Sequence, residues 1–375
     1  MLLKNIFSRV DWLLMGAVFF LIATGLVTMF TLGEGSAFFT RQILWVAISF
    51  CVMLLVSQID SKVFHRTSVI MGLYMAIIGL LLGLFVVGSA FQGAQSWFSV
   101  GALSLQPAEF AKLTLILLLA KYFSRRHIEI KQFKHILISG IYTAILFLLI
   151  MAQPDFGSAI IIFSIWFGMV LFSGISWKHL TILGLSGAGA FAFLWTNIFE
   201  GYQKARIISF LNPLQDLQGA GYNAYQSMVS VGSGGFLGKG FGFGTQSRLA
   251  FLPEYQTDFM FAAFAEEWGF VGAVIVILLF AFILYRILRV ALVASGNFEK
   301  LYAIGFTVFL LTHITIHIGI NVGLLPVTGI TIPFMSYGGT HMLVLFIGLG
   351  ILFAMRGYSR AVHKDLTENE FFGVK

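Results

Sequence analysis

One stretch of an otherwise apolar chain is crowded with acids. In "FLPEYQTDFMFAAFAEEWG" (251–269), Glu254 and Asp258 stand at the entrance to a hydrophobic run, with Glu266 and Glu267 just behind. A carboxylate placed there can cap a helix, pair with a cation, or accept a proton from a substrate hydroxyl. Thr257 or Asp258 suits the cap. Glu266 falls eight residues after Asp258, about two turns, so an unbroken helix would bring both to one face.

Other chemistry-bearing groups recur at breaks in apolar segments. "SLQPAEFAKL" (104–113) opens a helix with Pro107 in its first turn and sets Glu109 and Lys112 three residues apart on one face. They form either a self-satisfied intramembrane ion pair or a cation held for an anionic ligand. In "AQPDFGS" (152–158), Pro154 breaks the helix, and Asp155 is a cap for the next one or a site residue. "VSVGSGGFLGKGFGFGTQSRLAFLPE" (229–254) is glycine-rich without a Walker lysine followed by Ser or Thr. It offers Lys239, Arg248 and Gln246 to an anion from tight backbone laid against a membrane surface. "THITIHIGIN" (312–321) sets His313, His317 and Asn321 along one stripe, suited to interhelical hydrogen bonds or to a proton path. "LLPVTGITIPFMSYGGTHM" (324–342) reads as a re-entrant or tight loop beside a cavity. No HExxH and no His/Asp metal spacing occurs.

The elements that must position these groups are membrane helices. At 375 residues, 58% hydrophobic and 10% charged, the chain is too apolar for a soluble domain. Ten runs can cross about 30 Å of hydrocarbon, near 12–31, 42–57, 68–90, 107–123, 136–152, 157–175, 180–198, 260–285, 301–323 and 341–356. The fold class is therefore an all-α polytopic membrane protein in a single domain over residues 1–375, with one long extracytoplasmic loop at about 199–257 between the seventh and eighth helices. The first run follows "KNIFSR" and reads as a retained helix rather than a cleaved signal.

With the N-terminus inside, most Lys and Arg fall on the cytoplasmic side. Arg41, Lys112, Lys204, Arg206, Lys239 and Arg248 fall outside or near the outer edge, so both termini are expected in the cytoplasm. The net charge of +7 is then an orientation signal, and no basic module of a nucleic-acid binder is present. Cys51 stands alone, which excludes an intrachain disulfide or a cysteine-built metal site.

The chain resembles the SEDS family (shape, elongation, division and sporulation), whose members polymerise peptidoglycan. The resemblance rests on "GAQSWFSVGALSLQPAEFAKL", "AQPDFGSA", "YQKARIISFLNP", "GAGYNAYQS", "GSGGFLGKGFGFGTQSRLAFLPEYQTDFMFAAFAEEWG" and "NVGLLPVTGITIPFMSYGG". "GKGFGFGTQSRLAFLPE" is similar to the elongation branch rather than the division branch. Two positions depart from the family pattern, Ser96 where Arg is common and Ala108 where Ser is frequent.

The resemblance implies a substrate, lipid II, a disaccharide-pentapeptide on undecaprenyl diphosphate, joined through an inverting β-1,4 transfer. It implies Asp258 of "TDF" as the essential catalytic residue. Glu109, Lys112 and Asp155 carry over as cavity residues, and Arg41, Arg206 and Ser336 carry over beside them. On this reading Asp258 is a general base, and Lys112, set by Glu109, faces the diphosphate with Arg206 or Arg248. A divalent cation, Mg or Mn, is a substitute or helper there. The partner implied is a class B penicillin-binding protein transpeptidase. The expected location is the bacterial inner membrane, with membrane lipid around the helices and the site on the outer face. A flippase for the same lipid and a scaffold for the transpeptidase are the rival readings.

Overall fold

A computed structural model describes residues 9–31, 36–91, 94–100, 103–125, 133–197, 204, 220–249, 251–294 and 296–371. Its long helices are α1 (Trp12–Thr31), α2 (Ser36–Gln58), α3 (Thr67–Val87), α4 (Pro107–Ser124), α5 (Phe133–Met151), α6 (Phe156–Phe172), α7 (Trp177–Asn197), α8 (Ala220–Ser233), α9 (Met260–Val293), α10 (Asn297–Asn321) and α11 (Gly339–Phe371). Each of the ten expected runs meets a helix, and α8 lies within the expected loop. Among the described residues, seven segments are long and apolar enough to cross a membrane: α1, α3, α5, α9, α10, and the 38–58 and 339–356 parts of α2 and α11. Of the other three, α4 carries Glu109, Lys112 and Lys121, and α6 has only 17 residues.

One addition to the helical reading lies between α3 and α4. Strands β1 (Ser89–Phe91), β2 (Ala94–Val100) and β3 (Leu103–Leu105) form an antiparallel meander. Buried Ser96 donates to the Gln153 carbonyl at 3.4 Å, and Gln153 Nε2 donates to Leu81 O at 2.9 Å. The meander is thereby fastened to the turn that carries Asp155.

The core centres on α4, which is buried on nearly every face from Pro107 to Ala120 and packs against α3, α6 and α10. A helix buried on nearly every face belongs in the middle of a bundle. Small residues let its neighbours close in: a Cβ on Gly305 of α10 would lie 2.9 Å from Ile116 and 2.8 Å from Met169. Such close approach is how helices associate in lipid, where apolar burial against apolar tails gains little.

At the end of α9 remote from Asp258, buried Asp11 accepts a hydrogen bond from Arg286 of α9 and forms an ion pair, at 2.8 Å, with Arg356 of α11. Burial pushes the Asp11 carboxyl up, yet the Arg286 hydrogen bond and the Arg356 charge hold it below the ordinary aspartate value. One acid thus ties α1, α9 and α11 together. Asp11→Asn is expected to lower stability by about 2 kcal/mol, the loss of charge-assisted hydrogen bonds at a buried site. A depressed pKa gives stability that is present above the unfolded value and lost only as pH falls through the folded one. The melting gap between wild type and variant in detergent should therefore stay constant from about pH 8 to pH 6.

Candidate functional site

Asp258 lies in a tight turn just ahead of α9. The Glu254 carbonyl accepts from the amides of Thr257, Asp258 and Phe259, and Glu254 itself takes a positive φ of 50° to make this possible. The helix starts at Met260, after a Phe259 cap residue with no side-chain capping bond. Its first amides have no partner within the helix and must find one elsewhere. That work is done by α10: His317 Nε2 accepts from Phe261 N at 3.4 Å, and Asn321 Oδ1 accepts from Ala262 N at 2.8 Å. Asn321 Nδ2 also donates to the Asp258 carbonyl at 3.0 Å. His317 Nδ1 lies 2.7 Å from Ile330 O, so this nitrogen carries the proton and Nε2 is the acceptor. The polar stripe of α10 is therefore a remote cap for α9.

The 326–338 loop holds the turn from a second side. Ser336, 2% exposed, donates to Thr257 O at 2.7 Å and accepts from Ile332 N at 3.1 Å. Tyr337 N donates to Gln256 O at 2.8 Å, and Gln42 of α2 clamps the loop through Ser336 O and Gly338 N. Gly329 of this loop has φ +71, and a Cβ there would lie 3.7 Å from Asp258 Oδ2. The neighbouring Thr328 carbonyl would be 2.7 Å from a Cβ on Gly157, at the start of α6. One loop thus runs between Asp258 and the N-terminus of α6, where Asp155 sits. Half-buried Asp155 caps that helix, accepting from Ser158 N, and also accepts from Gln106 Nε2, both at 2.9 Å.

Below the loop lies a buried ionic cluster. Lys112 Nζ is 2.5 Å from Glu109 Oε1 and 3.5 Å from His313 Nε2, while Glu109 Oε2 accepts from His341 Nδ1 at 2.8 Å. His313 Nδ1 reaches Thr331 O at 3.1 Å, which links the cluster to the loop beside Asp258. Lys112 is 1% exposed, and its ammonium faces Glu109 and His313. Glu109, His313 and His341 are close enough to hold a cation, with ligand atoms within 4.8 Å of one another. The Lys112 ammonium already supplies the positive charge among them, and a dication would be repelled by it, so the donor set does not fit a metal.

The third side is the 234–249 loop. Buried Glu266 accepts from Lys239 Nζ at 2.7 Å, from Thr245 Oγ1, from the amides of Gln246 and Ser247, and from Ser247 Oγ. Glu267 accepts from Gly242 N at 2.9 Å and from Thr31 of α1 at 2.8 Å. The expected shared face of Asp258 and Glu266 does not arise, because Asp258 precedes the helix and Glu266 is occupied by the loop. Gln246 donates its amide to Glu266, and exposed Arg248 donates to Gly242 O at 3.5 Å. Arg41 is exposed on α2, next to Gln42. Arg206 lies outside the described residues.

The structure therefore brings Asp258, Ser336, Asp155, Glu109 and Lys112 around one loop. Gln42, Gln106 and His341 complete these contacts and were not singled out from the sequence. Gln106 precedes "PAEF" and His341 follows "YGG", so their nearness to motif residues was the available signal.

A bundle of apolar helices whose ionisable groups collect at helix ends and beneath a broken loop defines a polytopic membrane protein with a polar site at one end. Residues 4–361 match the family model for FtsW, RodA and SpoVE, described as "Cell cycle protein", and the chain belongs to that family. It is 35% identical to stage V sporulation protein E of Bacillus subtilis, covering 93% of this chain and 98% of that one. It is 33% identical to the peptidoglycan glycosyltransferase MrdB of Escherichia coli, covering 92% and 93%. A solved chain from work on "Structural coordination of polymerization and crosslinking by a peptidoglycan synthase complex" superposes with a TM-score of 0.81. It is 28% identical, with 93% of this chain and 98% of that one covered.

Two predictions test the construction of the site. Glu266→Gln removes the charge that gathers the loop, so trypsin should cut after Arg248 at least about tenfold faster at unchanged helical content, as expected for loss of charge-assisted hydrogen bonds. An unchanged cleavage rate would show that the loop holds its place without Glu266. Lys112→Met leaves Glu109 a buried acid without its cation and should cost about 3–5 kcal/mol, and adding Glu109→Gln should recover much of it. Additive losses in a thermal unfolding cycle would mean that the pair does not act as a unit.

Proposed function

We propose that this chain is a peptidoglycan glycosyltransferase that polymerises lipid II, with Asp258 as the general base. The acceptor GlcNAc 4-hydroxyl attacks C1 of the donor MurNAc from the face opposite the diphosphate. The C1–oxygen bond breaks, undecaprenyl diphosphate leaves with the bonding electrons, and the hydroxyl proton passes to Asp258. Attack from the opposite face inverts C1 and yields the β-1,4 link. A positioned base contributes about 10²- to 10⁴-fold. The diphosphate is already a good leaving group, so no second carboxylate is needed as the acid of a glycosidase pair.

The observation that carries this reading is the arrangement around Asp258. Its turn is held through the backbone by α10 and by the 326–338 loop, and a glycine lies next to its carboxylate. A reacting group must be held in place for proximity to act, and bulk must be kept from the approach. Positive charge for the departing diphosphate comes from exposed Arg248 and Arg41, and the family resemblance adds Arg206. Glu109 and Lys112 act from below by fixing His313 and the loop. Asp155 and Gln106 set the opposite wall. We assign the divalent cation, Mg or Mn, to the substrate's diphosphate rather than to the buried cluster.

The site lies on the outer face of the inner membrane in this reading, with both termini cytoplasmic, ten spans, and lipid tails entering from the bilayer. The distribution of Lys and Arg supports that orientation. The form of "GKGFGFGTQSRLAFLPE" favours the elongation branch, resembling RodA more than FtsW. A class B penicillin-binding protein is the proposed transpeptidase partner, in keeping with the synthase complex to which the fold is similar.

Full-length protein in lipid, given purified lipid II on the accessible face, should form polymer, and Asp258→Asn should abolish it while inserting normally. Undiminished polymer from the variant would remove Asp258 from the mechanism. Lipid movement across vesicles without polymer from the wild type would favour the flippase, and an inert wild type with and without the transpeptidase would favour the scaffold.

A further inference from the structure

The 234–249 loop has a second property that the transfer reaction does not use. Phe236, Leu237, Phe241, Phe243 and Leu249 are between 54% and 77% exposed, and Phe251 is 46% exposed. So many large apolar groups on one exposed loop mark a contact surface rather than a wetted one.

The backbone shows what the loop is built against. Helix α9 is broken at Gly269, with φ 64 and ψ −165. Into this break the loop inserts its own chain: Lys239 N donates to Glu266 O, Gly240 N to Glu267 O, Phe270 N to Gly235 O and Val271 N to Phe236 O, at 2.9–3.2 Å. A Cβ on Gly238 would lie 2.1 Å from the Glu267 carbonyl, so only glycine fits this seam. Irregular backbone is tolerated at membrane depth when its polar groups are satisfied by protein, and here the two breaks satisfy each other.

Two observations fix the depth. From Gly269 to Arg286, which belongs to the clamp at the far end of α9, the helix rises about 25 Å. That approaches the roughly 30 Å of the hydrocarbon layer, so the break stands near the opposite interface. The Phe236 ring stacks on Phe270 at 6.0 Å, and Trp268, Phe270 and Val271 are exposed on the same stretch of the span. The loop's apolar surface therefore continues the lipid-facing surface of α9. Its only cations are Lys239, neutralised by Glu266, and Arg248, long enough to reach phosphates from an interfacial position.

We propose that residues 235–243 form a finger seated in the lipid leaflet beside the kink of α9, its occupant the glycerol and upper acyl region of the bilayer. Aromatic and leucine side chains anchor it at the depth where amphipathic segments settle, about 5–10 Å into the headgroup boundary. The loop that carries Gln246 and Arg248 is thereby moored to the membrane at one end and to Glu266 at the other. The inference does not depend on the reaction assigned to Asp258 or on which leaflet is involved.

The test uses full-length protein with Cys51→Ser and one new cysteine, either Leu237→Cys or Phe241→Cys. Each carries a nitroxide and sits in nanodiscs of phosphatidylethanolamine and phosphatidylglycerol. At both positions collisions with dissolved oxygen should exceed those with an aqueous nickel chelate severalfold, the signature of lipid depth. Equal or greater collision with the nickel chelate at both positions would overturn the proposal. So would nickel exposure that disappears only when a transpeptidase partner is added, since the occupant would then be protein.

Discussion

Everything at this site rests on where α9 finds partners for its first amides. A helix that begins at the edge of a bilayer cannot leave these donors bare, and the common solution is a side chain from the residue just before it. Here His317 and Asn321 reach across from α10 instead. Because Asn321 also holds the Asp258 carbonyl, one of the two side chains that begin the helix fixes the height of the acid as well. Capping and positioning are one interaction.

That interaction is only as firm as α10, and α10 is steadied by a buried ionic cluster. Taking Glu109 and Lys112 out of water has a large desolvation cost, recovered when geometry and hydrogen bonds are complete. His341 fills the second oxygen of Glu109, and His313 takes up Lys112 on one side and the Thr331 carbonyl on the other. Replacing such a cluster by apolar residues need not weaken a fold. Its value here lies in direction, because it joins α4, α10 and α11 to the one loop that passes both Asp258 and the start of α6. Buried charge in lipid is then a means of registering three helices against a site.

The helices were legible because apolar length alone specifies them, and the ten runs read from the chain meet ten helices, of which α9 and α11 run on past the expected ends to Val293 and Phe371. Glu109 with Lys112 was legible as a pair because i,i+3 spacing is local. The open question of what they face was not, since His313 and His341 lie some two hundred residues away. The cap on α9 was not legible for the same reason: Thr257 and Asp258 stand where a local cap belongs, and sequence offers no view of a side chain arriving from another helix. The expected face shared by Asp258 and Glu266 failed because it assumed a straight helix through both. The short meander after α3 escaped notice because its strands have as few as three residues.

The break at Gly269 explains why acids can sit so deep in an apolar chain. Before it, from Met260 to Glu267, every residue of α9 is buried in protein; after it, Phe270, Val271, Ile275 and Leu278 turn outward. The two halves meet different solvents, and the kink marks the boundary. Glu266 and Glu267 are the last residues of the enclosed half, and each is met by the loop that fills the break: Lys239, Thr245 and two amides for the first, Gly242 N for the second. A straight α9 would leave the loop no break to fill, and these carboxylates would lose the partners that the loop brings. The glycine that interrupts the helix therefore does for Glu266 and Glu267 what His317 and Asn321 do for the helix start: it brings polar partners to groups that could not otherwise stand beside a membrane, and it leaves Asp258 at the head of the enclosed half, facing the loop rather than the lipid.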